Sequence, residues 1–451
     1  MLRYKPYIFF IILLVVFSAI SLQCFYQKTG TKARFIIESN LLDSNTSFSA
    51  ESLEPLYFDV PNAQNSAHAS TILALNNPQK PFMVLYFAGS REGASDVAIY
   101  QSFFVQDSGQ KCGKTSVSYT SQNPQHAPQD SQTTRKNPLQ ISQNLVKPYP
   151  CAPRWSEPRA ILTPKELSRL SGKFIHKLGN PVSFLDTQGR VHLFVVGVSM
   201  GGWATSKIYW LLFDDTLQQL HFQKELTLSP FINFSSLVRS HPLLLDDGGF
   251  ILPVYHELAR KFPLLLHFSQ DLQLEHITKP LDTIGTKATS KLQPSFTPLN
   301  TTQAFGVYRN YNVGTMQTSF CTLETELLCQ EPKPSNLTNY TASSIVFNAL
   351  DSVLLLHNQK GREELWLYVL DKSSLVGPRT VFVPLMRLDN LPTEVSYPSV
   401  ALTESSIHIA YTYGRTHIRS LLIPKSYLAQ AIQNANSLPP KREKATTKGA
   451  Q

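Results

Sequence analysis

The stretch Tyr86–Ser102, YFAGSREGASDVAIYQS, holds the first residues whose types and spacing could do chemistry. Arg91, Glu92 and Asp96 sit in a glycine-containing turn between two apolar, alternating runs. This pattern predicts a hairpin carrying one guanidinium and two carboxylates at the edge of a sheet. A guanidinium offers planar, paired donors to an anion, and a carboxyl beside it can pass a proton to a leaving oxygen. The set suits sugar chemistry, and equally a solvated hairpin tip, so the elements that position it must decide.

Those elements are strands. From Leu56 onward short apolar runs recur, among them PFMVLYFAG, KIYWLLFDD, FILPVYHE, ELWLYVLD and HIRSLLIP, with polar turns such as DTQGR, DDGG, LNTTQ and TESS between them. No long amphipathic helix interrupts them before Pro424–Asn436, so the class is all-β. The repeated grammar of strand, tight turn, strand, then a third strand points to the blades of a propeller rather than to a sandwich. Counted from Leu56 to Pro424, the units number about six. Residues 106–150 are rich in Ser, Gln, Asn, Thr and Pro without apolar period, and read as a long loop inserted in the first blade.

With 451 residues, 42% of them hydrophobic, the chain can build a large core. Its net charge of +9 is partly terminal, since Lys441, Arg442, Lys444 and Lys448 fall in the tail. The balance fits an anionic ligand or membrane surface, and no basic helix or interleaved aromatic motif argues for nucleic acid. Arg3 and Lys5 precede the uncharged run Tyr7–Leu22, which reads as an uncleaved signal anchor within residues 1–26, followed by a polar tether over 27–55. The body, 56–424, is then exported, with a short helix and basic tail over 425–451. Four cysteines besides Cys24 fit two disulfides in an oxidising compartment; Cys321 and Cys329 bracket TLETELL, and Cys112 and Cys151 bracket the polar insertion. No His/Asp/Glu group has metal-ligand spacing, and no cofactor is expected.

The chain resembles the sialidases, in particular bacterial sialidase-like proteins with BNR repeats, over residues 56–424. RWSEP (Arg154–Pro158) and SQD (Ser269–Asp271) look like worn Asp-box turns. The resemblance implies a six-bladed propeller in which Arg91 and Asp96 are a site arginine and the general acid/base. Arg309 in AFGVYRN and Arg362 in LLLHNQKGR look like carboxylate-binding arginines, and Tyr397 in EVSYPSV like the nucleophilic tyrosine. A tyrosine can attack where an anionic carboxylate would be repelled by the substrate's own charge. Two positions depart from the pattern: His68 stands where the family has the arginine of Arg-Ile-Pro, and Gln293 where it has the glutamate that takes the tyrosine's proton. Glu257, with His256 beside it, or Glu92 is a candidate replacement base.

Trp203, in SMGGWATS, is a sugar-stacking platform or a strand-end core residue. Arg415 and Arg419 read as rim residues or as solvated charges. The implied activity is an exo-glycosidase acting on an acidic sugar, sialic or a related ulosonic acid. The alternative is a non-catalytic glycan-binding propeller with a rewritten sialidase site.

Overall fold

Runs such as Phe82–Gly89 and Val191–Val198 are buried at every position, as strands covered on both faces must be. They are middle strands of six antiparallel sheets arranged as the blades of a propeller. The computed structural model describes residues 32–37, 54–105, 153–229, 233–258, 261–280, 291–311, 314–339 and 343–436, with the backbone of three two-residue strands at 120–121, 139–140 and 144–145. The innermost strands, in order, are Ser66–Ala74, Lys177–Leu185, Ser236–Val238 continued by Leu243–Leu244, Lys291–Pro298, Ile345–Ala349 and Val395–Leu402. Each neighbours the next, and the last packs beside the first.

Six apolar clusters fill the six gaps between adjacent blades. Alternate residues of one strand therefore serve two different cores, which is why the middle strands lack a polar face. Outer strands such as Leu274–Thr278 carry exposed positions.

The ring closes on a strand from the other end of the chain. Leu56–Asp59 pairs antiparallel with His417–Pro424 and completes the sixth blade. Arg419 locks the seam: its Nε and Nη2 donate to the Asp59 carboxylate at 2.7 and 3.3 Å, and its Nη1 reaches Asp389 of the fifth blade at 3.4 Å. Tyr411 Oη donates to the same Asp389 oxygen at 2.7 Å. Arg419 is thus a buried seam residue and neither a rim group nor a solvated charge.

The expected all-β six-bladed propeller is what the chain forms. In the first blade Ala98–Val105 pairs with Arg154–Trp155. Cys321 and Cys329 form a disulfide joining paired strands of the fourth blade; Cys112 and Cys151, the anchor within 1–26 and the tail beyond Asn436 lie outside the described residues. No helix among the described residues is long and apolar enough to cross a membrane.

Within the segment read as a tether, Phe35 is buried in the core between the third and fourth blades. Its N–H donates to Thr301 O at 2.8 Å, and Arg34 N donates to Asp246 Oδ1 at 2.7 Å. A short helix, Pro164–Ser171, links the first two blades. Thr163 caps it by accepting from Glu166 N at 3.1 Å, and Gly172 ends it at φ 67°.

The two mouths of the ring are built differently. At one, each inner strand ends in a tight polar turn; Asp186, for example, accepts from Gln188 N, Arg190 N and Arg190 Nε at 2.6 to 2.9 Å. Near the other, the inner strands bulge. Register breaks lie between His68 and Thr71, Gly179 and Val182, Leu292 and Ser295, and Ser396 and Ser399, and the residues at the breaks are left-handed: Ala69 (φ 50°), Asn180 (39°), Gln293 (48°) and Tyr397 (53°). Bulges re-aim side chains and end pairing, and they collect beside binding sites.

Removing one partner of a buried charge pair leaves the other uncompensated, at a cost of about 3–5 kcal/mol. Arg419→Met, which strips the buried Asp389 of its cation, should therefore lower the unfolding free energy from denaturant titration by an amount in that range, whereas Arg415→Met, at a less buried position, should lower it less. Burial pushes Asp59 up, but hydrogen bonding to His417 and Arg419 outweighs it and holds the carboxyl at about 2. The stabilisation is thus present above the ordinary carboxylate range and lost as pH falls toward 2. The gap between wild type and Arg419→Met should narrow over that interval in acid-unfolding curves.

Candidate active site at the bulged mouth

The sixth blade supplies the centre. Val395–Leu402 enters its sheet directly after Glu394, and the bulge one residue beyond Ser396 sets Tyr397 at the mouth. Tyr413–Thr416 turns tightly there, with Gly414 at φ 60° and Arg415 at 58°; Gly414 N donates to Glu394 O at 2.7 Å. On the fifth blade, a turn with Lys360 (φ 48°) and Gly361 (72°) delivers Arg362, whose carbonyl accepts from Val395 N at 2.7 Å. A Cβ at Gly361 would be strained by that φ, so glycine suits the turn.

Glu394 is the hub of these charges. Its Oε1 accepts from Arg362 Nη1 at 2.8 Å and from Ser396 Oγ, and its Oε2 accepts from Arg415 Nε. Arg415 Nη1 donates to Glu92 on the first-blade hairpin. Burial pushes Glu394 up, yet hydrogen bonding from Ser396, the His68 ring where acid protonates it, the charge of Arg362 and hydrogen bonding from Arg415 bring it down to about 2.

Tyr397 lies against three groups. The Arg239 guanidinium is 5.0 Å from its ring centroid, that of Arg362 is 5.2 Å away, and the His68 ring is 4.4 Å away at 60°. Arg239 comes from the stretch linking the two inner segments of the third blade. It is 3% exposed; its Nε donates to Ser343 Oγ at 3.0 Å and its Nη2 to Pro398 O at 2.6 Å. Burial lowers it to about 10, so it stays protonated at neutral pH.

His68 is 1% exposed, packs edge-on to Phe87 at 5.5 Å, and has neither ring nitrogen hydrogen-bonded. Burial, joined by the repulsion of Arg415, Arg362 and Arg239, lowers it to about 3 against the pull of Glu394. It is neutral at physiological pH. Gln293 also keeps an unpartnered buried Oε1, while its side chain hydrogen-bonds Tyr255, whose hydroxyl burial pushes far up. No group of His, Cys, Asp and Glu among the described residues could hold a metal ion.

The sequence-derived candidates fall into two sets. His68, Arg362 and Tyr397 meet directly, Glu92 joins them through Arg415, and Gln293 adjoins through Tyr255. The rest are placed by other contacts. Asp96 accepts from Ser90 N and Oγ, both at 2.9 Å, within its own exposed hairpin, and Arg91 is exposed at the same tip. Arg309 stands in register with Leu292, next to Gln293. His256 stacks on Phe262 at 5.0 Å, and Glu257 N donates to Ser235 Oγ at 3.2 Å.

Trp203 lies over Gly179, where an added Cβ would sit 2.5 Å from its ring, so its indole covers the second-blade bulge. Three members of the cluster escaped the sequence reading: Arg239, Glu394 and Arg415, the last read as a solvated charge or rim group and in fact ion-paired twice. A signal existed in the recurring Xaa-Pro at the start of inner strands, Asn180-Pro181, His241-Pro242, Gln293-Pro294 and Tyr397-Pro398. It marks Arg239 and Glu394 as lying two and three residues upstream of equivalent bulge positions.

A BNR repeat-like domain matches residues 79–409, and the chain belongs to that family, as the resemblance implied. Its fold is similar to that of a protein of unknown function from Dyadobacter fermentans, at 13% identity and TM-score 0.56, covering 82% of this chain and 97% of that one. It is also similar to Trypanosoma rangeli sialidase, at 10% identity and TM-score 0.50, covering 84% of this chain and 59% of that one. The same sialidase in complex with sialic acid aligns at 10% identity and TM-score 0.50, with coverages of 83% and 58%. The chain therefore spans under two thirds of the sialidase's length. Curated protein sequences give no match.

The Glu394 hub makes a pH prediction. A carboxyl held at about 2 in the folded state and near 4.5 when unfolded stabilises fully above about pH 4.5 and progressively less as pH falls toward 2. Glu394→Gln should thus unfold at a lower temperature than wild type at pH 7, with the difference shrinking below pH 4.5 in thermal scans.

Proposed function

We propose that the bulged mouth binds the carboxylate of an acidic sugar and that the protein is an exo-glycosidase-like hydrolase acting on sialic or related ulosonic acids in exported glycans. The observation that carries this reading is the packing of the guanidiniums of Arg239 and Arg362 against the Tyr397 ring. A tyrosine among cations is the arrangement an anionic anomeric centre calls for, because a carboxylate nucleophile would be repelled there. The fold shared with a sialidase supports it as architecture.

In this reading Arg362 and Arg309 hold the sugar carboxylate with Arg91 assisting. Asp96 protonates the leaving oxygen once substrate draws it from Ser90, and Tyr397 attacks or stabilises the developing charge. Glu257 serves as the substitute base. The body works outside the cytoplasm, tethered by the apolar run Tyr7–Leu22; the Cys321–Cys329 disulfide supports an oxidising compartment.

A specific observation favours a second reading, a glycan-binding propeller without turnover. Gln293 stands where a sialidase has its glutamate and cannot accept the tyrosine's proton. The two readings separate in one assay. Wild type incubated with aryl glycosides of N-acetylneuraminic, ulosonic and uronic acids should release the aryl group, and Asp96→Asn and Tyr397→Phe should each slow release by about 10²–10⁴-fold. Binding of the free sugars without release from any glycoside would establish the second reading; absence of both would exclude an acidic-sugar site.

A further inference from the structure

Arg362 and Arg415 share the Glu394 carboxylate, and Arg415 also holds Glu92. Arg239 is different. Its hydrogen bonds go to a hydroxyl and a backbone carbonyl, and among the described residues no carboxylate pairs with it. Its electrostatic neighbours are the hydroxyls of Tyr397 and Tyr255 and the rings of His68 and His241, both neutral at physiological pH. Among the charged groups joined to Tyr397 by ring contact or through Glu394, the balance is therefore three guanidiniums, Arg239, Arg362 and Arg415, against two carboxylates, Glu92 and Glu394, with His68 neutral. A buried charge without a partner is costly. Buried beside it are polar atoms that also lack partners, His68 Nδ1 and Nε2, Ser240 Oγ and Gln293 Oε1. They stand at or beside the bulged positions of the first, third and fourth blades.

We propose that this cluster is built for a ligand carrying one negative charge at the mouth, and that Arg239, supplied by the third blade, is the residue that sets this specificity. The inference rests on the acidic-sugar reading for the identity of the ligand, but its charge count stands on the cluster alone. Arg239 takes the place of the cation that His68 does not provide, reaching the Tyr397 ring from another blade. Arg362, already neutralised by Glu394, gives the ligand hydrogen-bonding geometry together with Arg309 and Arg91 of the acidic-sugar reading, and Arg239 gives the cluster its net charge.

The test compares affinities of the full chain for N-acetylneuraminic acid and its neutral methyl ester by titration calorimetry, in wild type, Arg239→Met and Arg239→Lys. In parallel, thermal shifts are recorded with acetate and with malonate at matched ionic strength. Wild type should favour the acid over the ester by about tenfold or more, Arg239→Met should bring the ratio near one, and Arg239→Lys should keep most of it. A merely structural Arg239 would change stability without changing that ratio. Acetate should raise the melting temperature of wild type more than malonate does, and the acetate shift should vanish in Arg239→Met.

A ratio unchanged in Arg239→Met overturns the inference and leaves the acidic-sugar reading standing. A larger shift with malonate than with acetate in wild type overturns the charge count, with no variant needed. An Arg239-dependent acetate shift without sugar binding upholds the monoanion site and removes the acidic-sugar reading. No shift with any anion and no sugar binding removes both.

Discussion

Closure of the ring is the constraint on which the rest of this molecule depends. Six sheets share six cores, one per gap, so an open ring would expose two of the twelve faces at once. The return of Leu56–Asp59 to the sixth blade, pinned by Arg419 between Asp59 and Asp389, removes that exposure. It also brings Ser66–Ala74 beside Val395–Leu402 and thereby His68 against Tyr397. Ala69 N donates to Thr412 Oγ1 across the same joint at 3.0 Å. The site is a product of closure: residues from the first, third, fifth and sixth blades meet only because the ring is complete.

Within that frame, charge is arranged before any ligand arrives. Glu394, held ionised by its cationic neighbours, fixes two guanidiniums at the mouth, and Glu92 extends the chain of pairs to the first-blade hairpin. Their hydrogen-bonding directions are thus set by carboxylates of the protein, which is preorganisation of the kind that lets a site recognise an anion without reordering. The bulges perform the mechanical half. Each interrupts an inner strand close to the axis and turns its residue out of the ladder, at the cost of a left-handed backbone in Gln293 and Tyr397. Such strain survives only where the surrounding sheet over-determines it.

Much of the fold is legible in the chain because blade strands are short, apolar and punctuated by turns such as DTQGR and DDGG, whose side chains satisfy their own backbone. Less legible are features that depend on three-dimensional neighbours. Phe35 sits in a polar stretch, and nothing local says that a gap between two blades awaits it. The helix Pro164–Ser171 is too short to show a period, although its Thr163-Pro164 start and Gly172 stop are written in the sequence. At the site, Tyr397, Arg362 and His68 were found by resemblance, whereas Arg239 and Glu394 have no place in that pattern. Arg239 is visible only as the residue two before a His-Pro pair, and Glu394 reads as an ordinary strand-end acid until the turns carrying Arg362 and Arg415 are folded over it.

An acidic sugar is proposed to bind at the bulged mouth, at Tyr397. The most direct measurement of this is a crystal structure of the protein soaked with N-acetylneuraminic acid. Electron density for the sugar is expected at that mouth, its carboxylate within hydrogen-bonding distance of Arg362 and on the side of Tyr397 that faces Arg239. Density at the opposite mouth among the tight turns, or a sugar seated with its carboxylate in solvent, would contradict it.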